Sequence, residues 1–263
     1  TARWAEAELG RPVIPVFWIA GEDHDWDEAN HTYVATPQLE VRKLAVTRPE
    51  TARRTPVSRT VLTGENWTPA LEGLEQSLPP SEFRAELVDA LRAIAEQSRS
   101  LTEAFARTMS RLFGRQGLVL VDSDDSRLRE AEGPFFRALL ERRRELSAAL
   151  SEGERAVTAL GFPLQAESSE RCCNLFLFHD GERKLLYETE DGVGATDRRG
   201  TFRLSFDELA ELAGKDPALF SNNALTRPLM QEFVFPVLAT VLGPSEIAYW
   251  STLRESFKRF GQR

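Results

Sequence analysis

Residues 13–31 read VIPVFWIAGEDHDWDEANH, and residues 117–125 read GLVLVDSDD. Each is a short apolar run that opens into acids. The first run, 13–20, is nearly all apolar, which predicts a strand buried on both faces, as in a parallel sheet. Gly21 ends it, and Glu22, Asp23, His24, Asp25, Asp27 and Glu28 follow at once. The second run, 117–122, repeats the arrangement and ends in Asp122, Ser123, Asp124 and Asp125. Open α/β sheets bind ligands at the carboxyl ends of such strands.

Working outward, helical spacing is found over 1–9, over 83–112 after the Ser81 cap, and over 126–132. It returns over 134–160 with a break near Gly153, and over 205–213, 228–242 and 245–260. Residues 173–179 and 184–189 read as a hairpin around Asp180-Gly181. Strands alternating with helices predict an α/β fold with a mainly parallel core and with helical and small β insertions. Four segments result. Residues 1–36 are the first part of the core. Residues 37–70, rich in Pro, Thr and Arg, are an inserted connector whose stretches QLEVRKLAV and SRTVL read as short strands. Residues 71–160 hold the core strand 117–122 between long helices. Residues 161–263 hold the hairpin and a helical second part of the core.

Composition excludes several classes. Among 263 residues, 33 Lys and Arg face 41 Asp and Glu, a formal charge of −8. An acidic chain lacks the positive footprint of nucleic-acid binding. Lysines occur only at 43, 184, 215 and 258, and the single Gly-Lys pair, Gly214-Lys215, is followed by Asp216, so there is no phosphate-cradling Gly-Lys-Ser/Thr loop. The apolar run 234–242 contains Pro236 and is far short of the ~20 residues that span a bilayer. The start, TARWAEAELG, has no signal-peptide order. Cys172 and Cys173 are neighbours that cannot staple the fold, and they read as buried packing. No membrane contact and a reducing, cytoplasmic location are expected.

The densest polar chemistry is EDHDWDEANH at 22–31. A histidine between two aspartates is suited to acid/base work. The same acids also suit a charged helix N-terminus. A helix starting near His24 would instead put His24, Glu28 and His31 on one face, the pattern of a metal-dependent hydrolase. At 122–125 the acids can take a sugar hydroxyl, an amine or Mg²⁺, or can cap the next helix. In FSNNALTRP (220–228), Arg227 can grip a carboxylate in bidentate fashion or form a surface ion pair. Tyr249 and Trp250, after Glu246, wall a pocket or fill a core. His179 reads as structural.

Four blocks, PVFWIAGEDHDWDEANHTYV (15–34), LFGRQGLVLVDSDDSRLRE (112–130), NLFLFHDGERKLL (174–186) and FSNNALTRPLMQEFVFPVLATVLGPSEIAYWSTL (220–253), resemble the bacillithiol-biosynthesis cysteine-adding enzyme family through nearly the whole chain. The resemblance implies a Rossmann-like core with connector insertions and a helical coiled-coil part. It implies the last step of bacillithiol synthesis, an amide ligation of cysteine, through its carboxyl, to the amino group of glucosaminyl-malate. ATP is the activator implied by analogy, and no ATP motif is visible here. A homodimer is the assembly in view. Carried onto this chain, Glu22, Asp23, His24 and Asp25 become the catalytic group, with His24 as base and Asp23 or Asp25 orienting it. Asn223, Arg227, Glu246, Tyr249, Trp250, Asp122 and Asp124 become substrate-binding, with Arg227 on the malate carboxylates. No metal ligand is carried over. Family members begin earlier, with a glycine-rich stretch, and continue further, so the chain reads as a central piece. The absence of that stretch bears on nucleotide binding and on activity of the piece alone. FSNN stands here for the family's FSPN, and LGPSE for a GGPGE-type turn.

Overall fold

The computed structural model describes residues 1–50 and 55–262. Residues 51–54, part of the connector read from the sequence, and Arg263 lie outside the described residues. The chain divides into two compact units, Thr1–Asp125 and Ser126–Arg263. Among the described residues no helix is long and apolar enough to cross a membrane.

The first unit begins with α1 (Ala2–Leu9), β1 (Val16–Ile19), α2 (Trp26–Ala29), β2 (His31–Ala35) and β3 (Val41–Ala45). It continues with α3 (Gly64–Ser77), α4 (Arg84–Glu96), α5 (Leu101–Phe113) and β4 (Val119–Asp122). Strands β1 and β4 pair in parallel, Val16 beside Val119 and Ile19 beside Asp122. The two apolar runs are therefore neighbours, and their acidic ends emerge at one edge. Burial rises along β1 towards that edge: Ile19 is buried, whereas Val16 and Phe17 remain exposed. The expectation of burial on both faces fails there, because the pair has two strands among the described residues and helices cover it incompletely. Strands β2 and β3 form an antiparallel hairpin, with His31 opposite Ala45. Trp26, Val46, Val57 and Leu62 make a small core beside it.

Three local readings are corrected. The stretch SRTVL holds a single 3-10 turn, Val57–Arg59, instead of a strand. The continuous helix over 83–112 is two helices. Ser100 starts α5 afresh by accepting the Glu103 N–H (3.2 Å), while Glu103 accepts the Arg99 N–H (2.8 Å). That S-x-x-E pattern is a helix start. Helix α3 begins inside the connector, where Thr63 and Asn66 cap one another.

The second unit comprises α6 (Ser126–Glu141), α7 (Arg143–Ala159), β5 (Cys172–His179), β6 (Glu182–Glu188), β7 (Gly194–Thr196), β8 (Leu204–Ser205) and α8 (Phe206–Lys215). It ends with β9 (Phe220–Asn222), α9 (Arg227–Val234), α10 (Pro244–Trp250) and α11 (Arg254–Arg259). Its five strands lie in the order β8-β7-β6-β5-β9, all antiparallel. The expected hairpin is the β5–β6 pair at the heart of this sheet. Phe136, Leu139 and Leu140 of α6 and Leu146 and Leu150 of α7 meet Leu175, Leu177 and Leu186 of the sheet in one core. Burying each such side chain stabilises by about 1.5–3 kcal/mol.

Helix bounds differ from the sequence reading for local reasons. Helix α6 runs through Pro134, and the break falls at Arg142, not near Gly153. Helix α9 stops at Val234 because Phe235 precedes Pro236 and is driven to extended backbone (φ −129°, ψ 144°). The final helix is interrupted by a 3-10 turn at Ser251–Leu253.

Candidate functional site

In the first unit the parallel pair dictates the site. The chain leaves β1 through Ala20 and Gly21 and turns back on itself, with the Asp23 N–H donating to the Ala20 carbonyl (3.1 Å). Gly21 is required here. A Cβ at that position would lie 2.0 Å from Asp122 Oδ1. The Asp122 carboxylate occupies that space and accepts the Asp124 N–H (3.0 Å), which shapes the mouth of β4. Ser123 joins the two strand ends: its N–H donates to the Ile19 carbonyl (2.9 Å) and its Oγ accepts the Glu22 N–H (3.2 Å).

Asp124 is tied down. Its two carboxylate oxygens take Nε and Nη2 of Arg59, both at 2.7 Å, and one also accepts from Ser58 Oγ (2.5 Å). The sequence reading gave Asp124 to substrate. Its place here is as the clamp that fixes the 57–59 turn against the strand mouth. The same turn is held from its other side, where the Val57 N–H donates to Asp23 O (2.7 Å) and the Ser58 N–H to Gly21 O (3.1 Å).

Asp23 Oδ1 accepts the His24 N–H at 2.7 Å and lies 3.5 Å from His24 Nδ1. The imidazole is mostly covered, at 13 % exposure, beside an exposed carboxylate. Asp25 stands at the N-cap of α2. Glu22 is buried. The structure thus brings Glu22, Asp23, His24, Asp25, Asp122 and Asp124 to one strand edge. It does not form the helical face of His24, Glu28 and His31. Helix α2 is a single turn, and His31 opens β2, with Nδ1 3.2 Å from Asn30 Oδ1. The spacing on which the hydrolase reading rested is therefore absent. Among the described residues no group of three His, Cys, Asp or Glu side chains converges to hold a metal.

In the second unit Asn223, Arg227, Glu246 and Tyr249 meet at the exit of β9, whereas Trp250 packs against the core. Asn223 Oδ1 accepts the N–H groups of Leu225 (2.9 Å) and Thr226 (3.0 Å), a side-chain turn of the kind asparagine favours. Its Nδ2 donates to Asn174 Oδ1 (2.9 Å), and Thr226 Oγ1 donates to Asn174 O (2.8 Å). Asn174 is left-handed (φ 57°), at the register shift between β5 and β6. The turn is thereby pinned to the sheet, and it delivers Arg227 as the first residue of α9.

Arg227 Nη2 donates to Glu246 Oε1 (2.7 Å) and to the Tyr249 hydroxyl. That hydrogen bond is the main reason the Glu246 carboxyl is held below the usual carboxylate range. Trp250 packs near Phe257 at the edge of the core. Sequence reasoning missed Arg183, which stacks 3.6 Å from the Phe176 ring and donates to Ser221 Oγ (2.9 Å) and Asn222 O (2.7 Å). It missed Arg59 and Asn174 as well. None of these three carries a motif, since their partners are distant in sequence.

The Gly214-Lys215 pair closes α8, and Lys215 is paired with Glu211 one turn back. It stands at the wrong end of a helix for phosphate, which binds at N-termini. Cys173 is buried, which pushes its thiol up to about 12, and burial raises Cys172 as well. Both thiols are therefore expected to resist iodoacetamide at pH 8 in the native protein and to alkylate fully on unfolding. Peptide mass spectrometry checks this, and rapid native labelling of Cys173 would contradict the burial.

Carboxyl ends of parallel strands are where open α/β folds bind ligands, and the polar turn 22–25 lies at such an end. The family described as "Bacillithiol biosynthesis BshC, N-terminal Rossmann-like domain" matches residues 1–263, and the chain belongs to it. It is 37 % identical over 261 residues to "Putative cysteine ligase BshC" of Bacillus cytotoxicus, covering 98 % of this chain and 47 % of that protein. The relative of the same name from Geobacillus thermodenitrificans is 37 % identical over 264 residues, covering 99 % and 48 %. That from Bacillus anthracis is 35 % identical over 262 residues, covering 100 % and 48 %. The chain spans about half the length of these curated relatives.

Proposed function

We propose that this chain is part of a ligase that joins cysteine, through its carboxyl group, to the amino group of glucosaminyl-malate, the last step of bacillithiol synthesis. The observation that carries the reading is the Asp23–His24 pair at the carboxyl end of β1, in a chain of the BshC family. The substrate amine is protonated near neutral pH, and only the free amine attacks. With Nδ1–H directed to Asp23, the basic lone pair of His24 lies on Nε2. His24 takes the ammonium proton, the nitrogen bonds to the activated carboxyl carbon as the bond to the leaving group breaks, the leaving group departs with that electron pair, and the second nitrogen proton passes to solvent to leave the neutral amide. Asp23 is the orienting carboxylate in preference to Asp25, because it is the one at the ring. Glu22 is buried at the same strand end and belongs to the same catalytic group. Asp122 and Asp124 set the backbone of the mouth. Arg227 takes a malate carboxylate, with Asn223 holding its turn and Tyr249 and Trp250 flanking it. Residues 37–70 act as an insertion in the core.

Hydroxide is a poor leaving group, so the cysteine carboxyl needs activation. The described residues do not build a Gly-Lys-Ser/Thr phosphate loop.

The test is product mass spectrometry with cysteine, glucosaminyl-malate and ATP, using the full-length protein. Loss of a general base costs about 10²–10⁴-fold in rate. His24→Ala is expected to lose that much in kcat with KM little changed, and Asp23→Asn to lose less. An unchanged rate in His24→Ala would remove the base assignment. A product that forms without ATP would remove ATP as activator.

A further inference from the structure

We propose that Glu246 is a built-in occupant of the Arg227 guanidinium, displaced when a substrate carboxylate binds and retained nearby by the Gly243 amide. This rests on the reading of Arg227 as a carboxylate site.

The argument starts from the guanidinium itself. An arginine grips a carboxylate through one of two forks, Nε with Nη2 or Nη1 with Nη2. Both need Nη2. In this chain Nη2 of Arg227 gives one hydrogen bond to Glu246 and one to Tyr249, and both of its hydrogens are spent. Among the described residues, Nε and Nη1 of Arg227 make no hydrogen bond. A carboxylate seeking either fork therefore finds one arm open and the other taken.

Two other carboxylates of the chain each take a full arginine fork. Asp124 takes the full Nε/Nη2 fork of Arg59 at 2.7 and 2.7 Å and is 5 % exposed. Glu145 takes the same fork of Arg142 at 2.8 and 2.9 Å. Glu246 touches Arg227 through one oxygen only. Its other oxygen is 3.5 Å from the Gly243 N–H at the start of α10. Leaving Arg227, the carboxylate keeps the Gly243 amide as a partner. Arg227 is mostly buried and would be poorly solvated without a counter-charge, so an internal carboxylate that leaves on demand keeps the empty site neutral. The ligand chemistry that fits is a carboxylate, since a planar two-oxygen anion completes the fork that Glu246 leaves incomplete.

The experiment measures malate affinity of the full-length protein by calorimetry, in wild type, Glu246→Gln, Arg227→Gln and Glu255→Gln. Glu246→Gln keeps an acceptor for the Gly243 amide and removes the competing charge. It is expected to bind malate about tenfold more tightly, a gain that misfolding does not produce. Glu255→Gln removes a charge from the same unit and is expected to leave the affinity unchanged, which separates displacement from a general charge effect. Arg227→Gln is expected to lose binding. Equal or weaker binding by Glu246→Gln, with Arg227→Gln still impaired, overturns the displacement and leaves the Arg227 reading intact. Wild-type affinity in Arg227→Gln overturns that reading itself. A second readout needs no variant: the Glu246 carboxyl, followed by carbon NMR, is expected to titrate higher once malate saturates the protein. An unmoved titration overturns the proposal.

Discussion

Gly153→Ala is expected to destabilise the second unit by about 2–4 kcal/mol, although it places the best helix former inside a helix. Propensity alone favours the change by about 1 kcal/mol. Packing decides against it. A Cβ on Gly153 would lie 1.8 Å from the carbonyl oxygen of Thr252 and 2.7 Å from its carbon. These are backbone atoms, so no rotamer change relieves the clash. Helix α7 and the 251–253 turn must part, which uncovers Leu253, a fully buried side chain worth about 1.5–3 kcal/mol. Overpacking of this kind adds about 1–3 kcal/mol of strain. Urea unfolding of the full chain reads the loss directly, and an unchanged midpoint would mean that the close approach is not present in solution. The same separation would carry α10 with it, since α10 runs straight into that turn. Glu246 and Tyr249 would then shift relative to Arg227, so a variant far from the proposed chemistry is expected to weaken malate binding too.

The second large effect concerns Arg129 and Glu132, both wholly buried in α6 and ion-paired to each other. Removing one partner of such a pair leaves a buried charge and costs about 3–5 kcal/mol. Arg129→Ala is expected to fall in that range. Replacing both residues by apolar ones, as in Arg129→Met with Glu132→Leu, is expected to recover most of the loss, because the desolvation cost disappears with the charges. A double-mutant cycle from denaturant melts measures the coupling. A cost under about 1 kcal/mol for Arg129→Ala would show that the pair contributes little.

The sequence was most legible where one local rule acts alone. The runs 13–20 and 117–122 announced a parallel pair because apolar strands ending in acids have few other readings, and β1 and β4 are paired in parallel. The acid–histidine turn at 22–25 was found for the same reason. The helix stop at Arg142 was not found, because Gly153 offers the obvious break. Its absent side chain serves a packing contact with Thr252, far away in sequence. Strands β7, β8 and β9 have two or three residues each, too few for an alternating pattern. The start of α5 is legible in Ser100 and Glu103, a cap that the apolar spacing on either side conceals. Within the site, Arg59 escaped notice because its partner Asp124 lies 65 residues away.

The left-handed Asn174 has a bearing on which sequence changes this chain tolerates. It sits where β5 changes register against β6, and its side chain and carbonyl are the anchors for the turn that begins α9. The position of Arg227 consequently depends on strand registration as well as on the Asn223 turn. A different residue at Asn222 leaves the anchor untouched as long as Asn223 and Thr226 reach it. A residue lost or gained within 172–176 is another matter. It would rotate Leu175 and Leu177 out of the core and move the anchor by a residue together. Insertions are thus tolerable in the loop before β5 and forbidden inside the strand, a constraint that a catalogue of site residues alone would never reveal.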